Sequence, residues 1–290
     1  MDVLADHLIY GLTRGAEYAL MAAGMALIFG VARIVNFAHG EFYMVGAYLM
    51  YLLQSNIAAP YPVLAIVAVV GMAGFGALYY GAVVYRSIGV GWANQIVATL
   101  AASILLANLA VVLAGPIPKS ITSPYLSVLV TIGSTTVSLQ RIIVLACAIV
   151  SFVGLYLLLS RTKYGKAMRA LSQNRDACVV LGIPVHRMGM LAVVIGSALA
   201  GVAGTTIPVL SNVNPAMGAL LTIKAFAAVI MGGLGNVTGA IISALFLGVV
   251  EALAVGYVSS AYGDAFVFGV LVAVLLVRPA GVFGRAVRVS

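Results

Sequence analysis

The chain has 290 residues, of which 63% are hydrophobic and only 8% charged, and its mean hydropathy is +1.17. That composition excludes a water-soluble globular domain and points to a polytopic membrane protein. The formal charge of +8 does not mark a nucleic-acid binder, because the lysines and arginines lie between apolar runs and not on one soluble basic face.

A hydrocarbon layer about 30 Å thick calls for roughly 20 apolar residues per crossing helix. Such runs fall at 7–31, 36–56, 61–85, 93–114, 139–160, 188–208, 217–231, 236–258 and 264–277. The sequence therefore predicts an all-α polytopic protein, one membrane domain over 1–290 with eight to nine transmembrane or re-entrant helices. The short runs 217–231 and 264–277 are the candidates for half-helices. Met1-Asp2-Val3-Leu4-Ala5-Asp6 carries no basic n-region or cleavage motif and reads as mature chain. Glycine pairs Gly11/Gly15, Gly71/Gly74 and Gly201/Gly204 permit close helix approach. The loop 115–138 holds Pro116, Pro118 and Pro124 and then a segment patterned as a short strand pair around Gly133. Residues 19–53 and 219–253 echo each other weakly, each a span, a Gly/Asn-containing turn and a returning span rich in small residues.

Orientation follows from where basic residues collect, since cytoplasmic loops retain positive charge. One side receives Arg33, Arg86, Arg161, Lys163, Lys166, Arg169, Arg175, Arg187, Arg278, Arg285 and Arg288; the other receives Lys119 and Arg141. Arg14 and Lys224 fall within spans. An odd number of crossings then places the N-terminus outside and the C-terminus in the cytoplasm. Cys147 in a span and Cys178 in a cytoplasmic loop argue against a disulfide and read as small packing residues.

The inner loop 161–187 has its own pattern. Ala167, Ala170, Leu171, Ala177, Cys178 and Leu181 form one helical stripe interrupted by Asn174, with Lys166, Arg169, Gln173 and Asp176 off it. Gly182 followed by Pro184 is a helix stop. The spacing predicts an amphipathic helix over 163–182, either lying on lipid headgroups or docking into a partner's groove.

Charges in spans are costly and call for partners. Arg14 and Glu17 make an i,i+3 pair on one helix face, read as structural. Arg33 and Glu41 lie near inner span ends. Lys224 sits seven residues past Met217 and Glu251 seven before Val258, so both lie about 10 Å below the outer surface at 1.5 Å per residue. They are placed to form an ion pair, or to offer Lys224 to a substrate carboxylate. His39 and Glu41 have H-x-E spacing without the further ligands a metal needs. No G-x-x-x-x-G-K-[ST] loop and no Ser-His-Asp or Cys-His set occurs, so neither an enzyme, a metal site nor a cofactor is expected of this chain.

Two stretches carry a family resemblance. One runs from Phe29 to Phe42 and includes Asn36, His39, Gly40 and Glu41, with Gly46 beyond it. The other is 220–251, from Thr222-Ile223-Lys224-Ala225-Phe226 through Gly232, Gly233 and Asn236 to Gly239 and Glu251. Over essentially its full length the chain resembles the membrane permease of branched-chain amino-acid ABC importers, in the short form of the smaller of two paired permeases. The resemblance implies a bacterial inner-membrane location, contact with lipid, a second permease subunit, two cytoplasmic ATPase subunits and a soluble substrate-binding protein. It also makes 161–187 the ATPase-coupling loop, with Ala170, Leu171, Asn174, Ala177, Cys178, Leu181 and Gly182 as coupling residues. Ser172-Gln173-Asn174-Arg175-Asp176-Ala177 stands where the family has its Glu-Ala-Ala opening. Asn36, His39, Glu41, Lys224, Gly232, Gly233, Asn236 and Glu251 are the translocation-path candidates. The competing reading is a self-contained channel or secondary transporter for a small polar solute such as urea or an amide, which has no use for a docking helix.

Overall fold

A computed structural model describes residues 2–89, 91–132 and 135–284. The turn at Gly133 and the tail carrying Arg285 and Arg288 lie outside the described residues. In chain order the elements are α1 (Asp2–Ala32), α2 (His39–Asn56), α3 (Tyr61–Tyr79), a π-helical turn (Tyr80–Val84) running into α4 (Tyr85–Ser87), and α5 (Trp92–Ala114). Then follow β1 (Leu129–Ile132), β2 (Thr135–Ser138), α6 (Leu139–Arg161), α7 (Lys163–Gln173), α8 (Arg175–Val180) and α9 (Val185–Thr206). The last are α10 (Met217–Gly232), α11 (Val237–Tyr257) and α12 (Gly263–Val277).

All nine expected apolar runs are helical, but among the described residues seven helical stretches are long and apolar enough to cross a membrane. The two that fall short do so for different reasons. α2 spends its 18 residues on His39, Glu41, Gln54 and three tyrosines, which its neighbours α3, α9 and α10 cover. α10 has 16 residues, about 24 Å at 1.5 Å per residue. α12 reaches 18 residues only with the 3-10 turn before it. β1 and β2 pair antiparallel with Val130 opposite Val137, as the patterning around Gly133 predicts.

α1 is the central helix, 89% buried over its most apolar stretch, whereas α5 and α12 are 11% buried and α6 is 17%. The bundle thus presents α5, α6 and α12 to lipid or to a partner. The hairpins α1–α2 and α10–α11 interlock, with α1 packed on α11 and α2 on α10. Glycines set both contacts. A Cβ on Gly248 would meet the Gly15 backbone, and one on Gly40 would meet the Gly218 carbonyl, so each position requires glycine for backbones to approach this closely. The pair Gly201/Gly204 likewise packs on α3 and α2, but Gly74 faces open space and packs on nothing.

The expected single helix over 163–182 is two helices. Thr162 caps α7 by accepting from the Gly165 amide at 3.0 Å. Asn174 then takes extended backbone angles, and its Oδ1 accepts from the Ala177 amide at 3.0 Å, starting α8. Asparagine at this position competes with helix continuation by capping the next one. Gly182 at φ +74° ends α8 before Pro184. The stripe consequently divides. Leu171 and Cys178 are 1% and 3% exposed within the core, Ala170 is half-buried, and Asn174, Ala177, Leu181 and Gly182 are exposed.

Candidate functional site

Apart from Lys119 and Arg141, the described basic loop residues gather at one end of the bundle. Arg33 ends α1, Arg86 lies in α4, Arg161 ends α6, and Arg278 follows α12; Lys163, Lys166, Arg169, Arg175 and Arg187 belong to α7, α8 and the start of α9. At the same end, residues 278–284 fold back over the α10–α11 turn. The Val282 amide donates to the Met231 carbonyl at 2.7 Å and Asn236 Nδ2 to the Phe283 carbonyl at 3.2 Å. Gly233 at φ +94° and Gly235 at φ +81° shape that turn. Gly232 abuts the Gly239 backbone, Gly233 abuts Gly284, and Asn236 caps α11 by accepting from the Gly239 amide at 3.0 Å. These glycines and Asn236 serve a tightly packed turn in this structure.

Asn36, in the α1–α2 connection, is fully buried, its Oδ1 accepting from the Tyr79 hydroxyl at 2.7 Å and the Ala38 amide at 3.2 Å. His39, also fully buried, packs edge-on to Phe42 and fills the space left by Gly24. Glu41 is 1% exposed. Its Oε1 accepts from the Ser103 hydroxyl of α5 at 3.1 Å, while Oε2 lies against Gly218 with no hydrogen-bond partner among the described residues. Gly218 matters here because a side chain would occupy the place of that carboxylate.

Lys224 and Glu251 meet as their spacing predicts, Nζ to Oε1 at 3.0 Å. Two further residues complete the cluster. Lys224 Nζ reaches Asp264 Oδ1 at 2.6 Å and donates to the Tyr18 hydroxyl at 3.1 Å, and that hydroxyl donates to Glu251 Oε2 at 2.6 Å. One ammonium thus joins α1, α10, α11 and α12. Sequence reading missed Tyr18 and Asp264, although Asp264 in the first turn of α12 is the nearest spare carboxylate and Tyr18 follows the Arg14/Glu17 pair on the same helix. Lys224 also lines a cavity of about 360 Å³ with Arg14, Glu17, Tyr18 and Tyr43, bordered by Pro118, Ser211, Asn212 and Asn214. Arg14 Nη1 contacts Glu17 Oε2 at 3.1 Å in its wall. The structure therefore brings Lys224 and Glu251 together, and leaves Asn36, His39 and Glu41 outside that cluster, with Gly40 and Glu41 against Gly218 in the first turn of α10 and Gly232, Gly233 and Asn236 in the α10–α11 turn. Among the described residues no group of three His, Cys, Asp or Glu side chains is placed to hold a metal.

What the arrangement offers is a membrane bundle with a polar, charge-paired cavity at one end and a basic end bearing two short helices at the other. Residues 7–275 match the family described as the permease component of the branched-chain amino acid transport system. The permease protein BraD of the high-affinity branched-chain amino acid transport system of Pseudomonas aeruginosa is 34% identical over 97% of this chain and 95% of its own length. The corresponding LivH of Escherichia coli K12 is 31% identical over 95% of this chain and 94% of its own. A probable LivH of Methanocaldococcus jannaschii is 32% identical over 91% and 88%. The solved PsaBC of Streptococcus pneumoniae in complex with Fab aligns at a TM-score of 0.44 with 16% identity, covering 95% of this chain and 89% of that one, too loosely to bear on the fold. Matched along nearly its whole length, this chain belongs to the branched-chain amino acid transport permease family.

Proposed function

We propose that this chain is the membrane-spanning permease subunit of an ABC importer for branched-chain amino acids. It forms the translocation path with a second permease, receives solute from a soluble binding protein and is driven by two cytoplasmic ATPase subunits. The single observation that carries this reading is the family match over residues 7–275, and it favours the importer over a self-contained channel or secondary transporter. The sorting of basic residues supports a cytoplasmic C-terminus, an external N-terminus and a bacterial inner-membrane location.

Coupling is assigned to α7 and α8 within 161–187. Val179, Val180 and Leu181 are 58%, 87% and 77% exposed beside Arg175 and Arg187, an apolar knob on the basic end that fits helix-in-groove docking to an ATPase. Ala177 and Gly182 border the knob, Asn174 sets its direction, and Leu171, Cys178 and Ala170 seat the two helices on the bundle. The path is assigned to the Lys224/Glu251 cluster and to Asn36, His39 and Glu41, with Gly232, Gly233 and Asn236 at its cytoplasmic exit. Reconstitution with the second permease, the ATPases and the binding protein tests the reading. L-leucine, L-isoleucine or L-valine uptake that requires ATP is expected; uptake by this chain alone, without ATP, would refute it.

A further inference from the structure

We infer that Arg14 and Glu17 on α1 form a receiving site for the ammonium and carboxylate of a zwitterionic α-amino acid with an apolar side chain. The inference rests on the permease reading above. Its first support is location: Arg14 and Glu17 stand in the walls of two adjoining cavities of about 360 Å³ and 90 Å³. The larger lies within the roughly 300–1,000 Å³ typical of small-molecule sites. Both cavities are bordered by Ser211, which leads into the 211–216 loop. By the proposed orientation that loop is at the outer end, where a binding protein delivers solute.

The second support is what the pair does not do. Lys224 ties four helices together, but the hydrogen-bond partners of Arg14, Glu17 and Tyr10, both lie on α1 itself. An i,i+3 pair on one helix stabilises little, yet Glu17 is only 6% exposed and Arg14 38%. The carboxylate is held at the cavity wall by Arg14 and by the Tyr43 hydroxyl of α2. The Arg14 guanidinium spends two of its five N–H donors on Tyr10 and Glu17 and so has donors left for a ligand carboxylate.

The chemistry fits the third requirement. A zwitterion carries a carboxylate and an ammonium on one carbon, matching opposite charges 3.1 Å apart. Inserted between them, its carboxylate accepts from the Arg14 guanidinium and its ammonium donates to Glu17. One ion pair is exchanged for two, each buried charge ending with an opposite partner. Tyr43 of α2 lies beside Glu17, and Met217, Leu220 and Leu221 give the cavity an apolar side for the substrate side chain.

The test uses the complete transporter in proteoliposomes, with initial L-leucine uptake expressed per assembled complex. Arg14→Gln and Glu17→Gln are each expected to lower uptake about tenfold or more, the loss of one charge-assisted contact of about 1.4 kcal/mol. Arg14→Lys, which keeps the cation, is expected to recover part of it. Rates within twofold of the parent in both glutamine variants would overturn the inference, since a merely structural pair alters yield and not rate per complex. Should those variants fail to assemble, Leu220→Trp fills the cavity from a half-exposed position and leaves the pair intact; unchanged L-leucine uptake there would overturn it as well. A parent complex that moves none of L-leucine, L-isoleucine and L-valine would instead sink the permease reading, and the inference with it.

Discussion

Replacing Lys224 with methionine removes a cation that faces two carboxylates, Glu251 and Asp264. The Lys224 side chain is 7% exposed and that of Glu251 13%, while Asp264 is 49% exposed. After the change Asp264 can hydrate, but Glu251 keeps only the Tyr18 hydroxyl at 2.6 Å. Removing one member of a buried pair costs on the order of 3–5 kcal/mol. The surviving Tyr18 bond puts the expected loss at the lower end, about 3 kcal/mol. For a chain of this size that corresponds to a drop in thermal midpoint on the order of 5–10 °C. The assay is detergent-solubilised thermal unfolding followed by loss of the monodisperse peak. Lys224→Met with Glu251→Leu is expected to be milder than Lys224→Met alone, because no unpaired charge remains buried. Asp264→Asn should cost about 1 kcal/mol or less, as a half-exposed partner does. A double variant as damaging as the sum of its singles would refute the coupled cluster.

Three further outcomes follow from the same structure. Cysteine at Ser127, exposed in the 115–138 loop, should label from outside intact cells and cysteine at Ser172 should not; the reverse pattern would invert the orientation. Leu181→Asp should leave the permease folded while reducing ATPase copurification and ATP-driven uptake, whereas Leu171→Asp should lower folded yield itself because Leu171 is 1% exposed. Equal folded yields for the two would contradict the division of the stripe between core and surface. Gly248→Ala should abolish folded protein, since its Cβ would meet the Gly15 backbone; a normal thermal midpoint would show that the α1–α11 contact is looser than described.

The sequence revealed most where one residue dominates the energy. Lys224 and Glu251 were pairable from spacing alone, because a charge in hydrocarbon allows few alternatives and helical rise fixes its depth. Gly11/Gly15 and Gly201/Gly204 announced close contacts for the same reason. It revealed less where neighbours decide. Gly74 has the same spacing from Gly71 as Gly204 from Gly201 yet faces open space, since a small residue permits contact without creating it. The helix over 163–182 was legible as amphipathic, but its break at Asn174 turned on whether that side chain caps the helix after it, and periodicity carries no term for capping. Tyr18 and Asp264 escaped notice because three-dimensional proximity among α1, α10, α11 and α12 is not encoded in any local spacing.

The two charge clusters at one end of the bundle illustrate how partner location separates roles that burial alone cannot. Both place ions in a membrane span, where desolvation must be offset by interactions on hand. The Lys224 cluster draws its partners from three other helices, so the energy that offsets burial also fixes how those helices sit. Arg14 draws its hydrogen bonds from Tyr10 and Glu17 on its own helix, and reaches other helices through them, Glu17 to Tyr43 of α2 and Tyr10 to Arg141 of α6. The two clusters stand side by side around one cavity. On the inference drawn above, the Lys224 cluster holds the cavity's shape while the Arg14/Glu17 pair offers charges to what enters, the division of labour that a preorganised binding site requires.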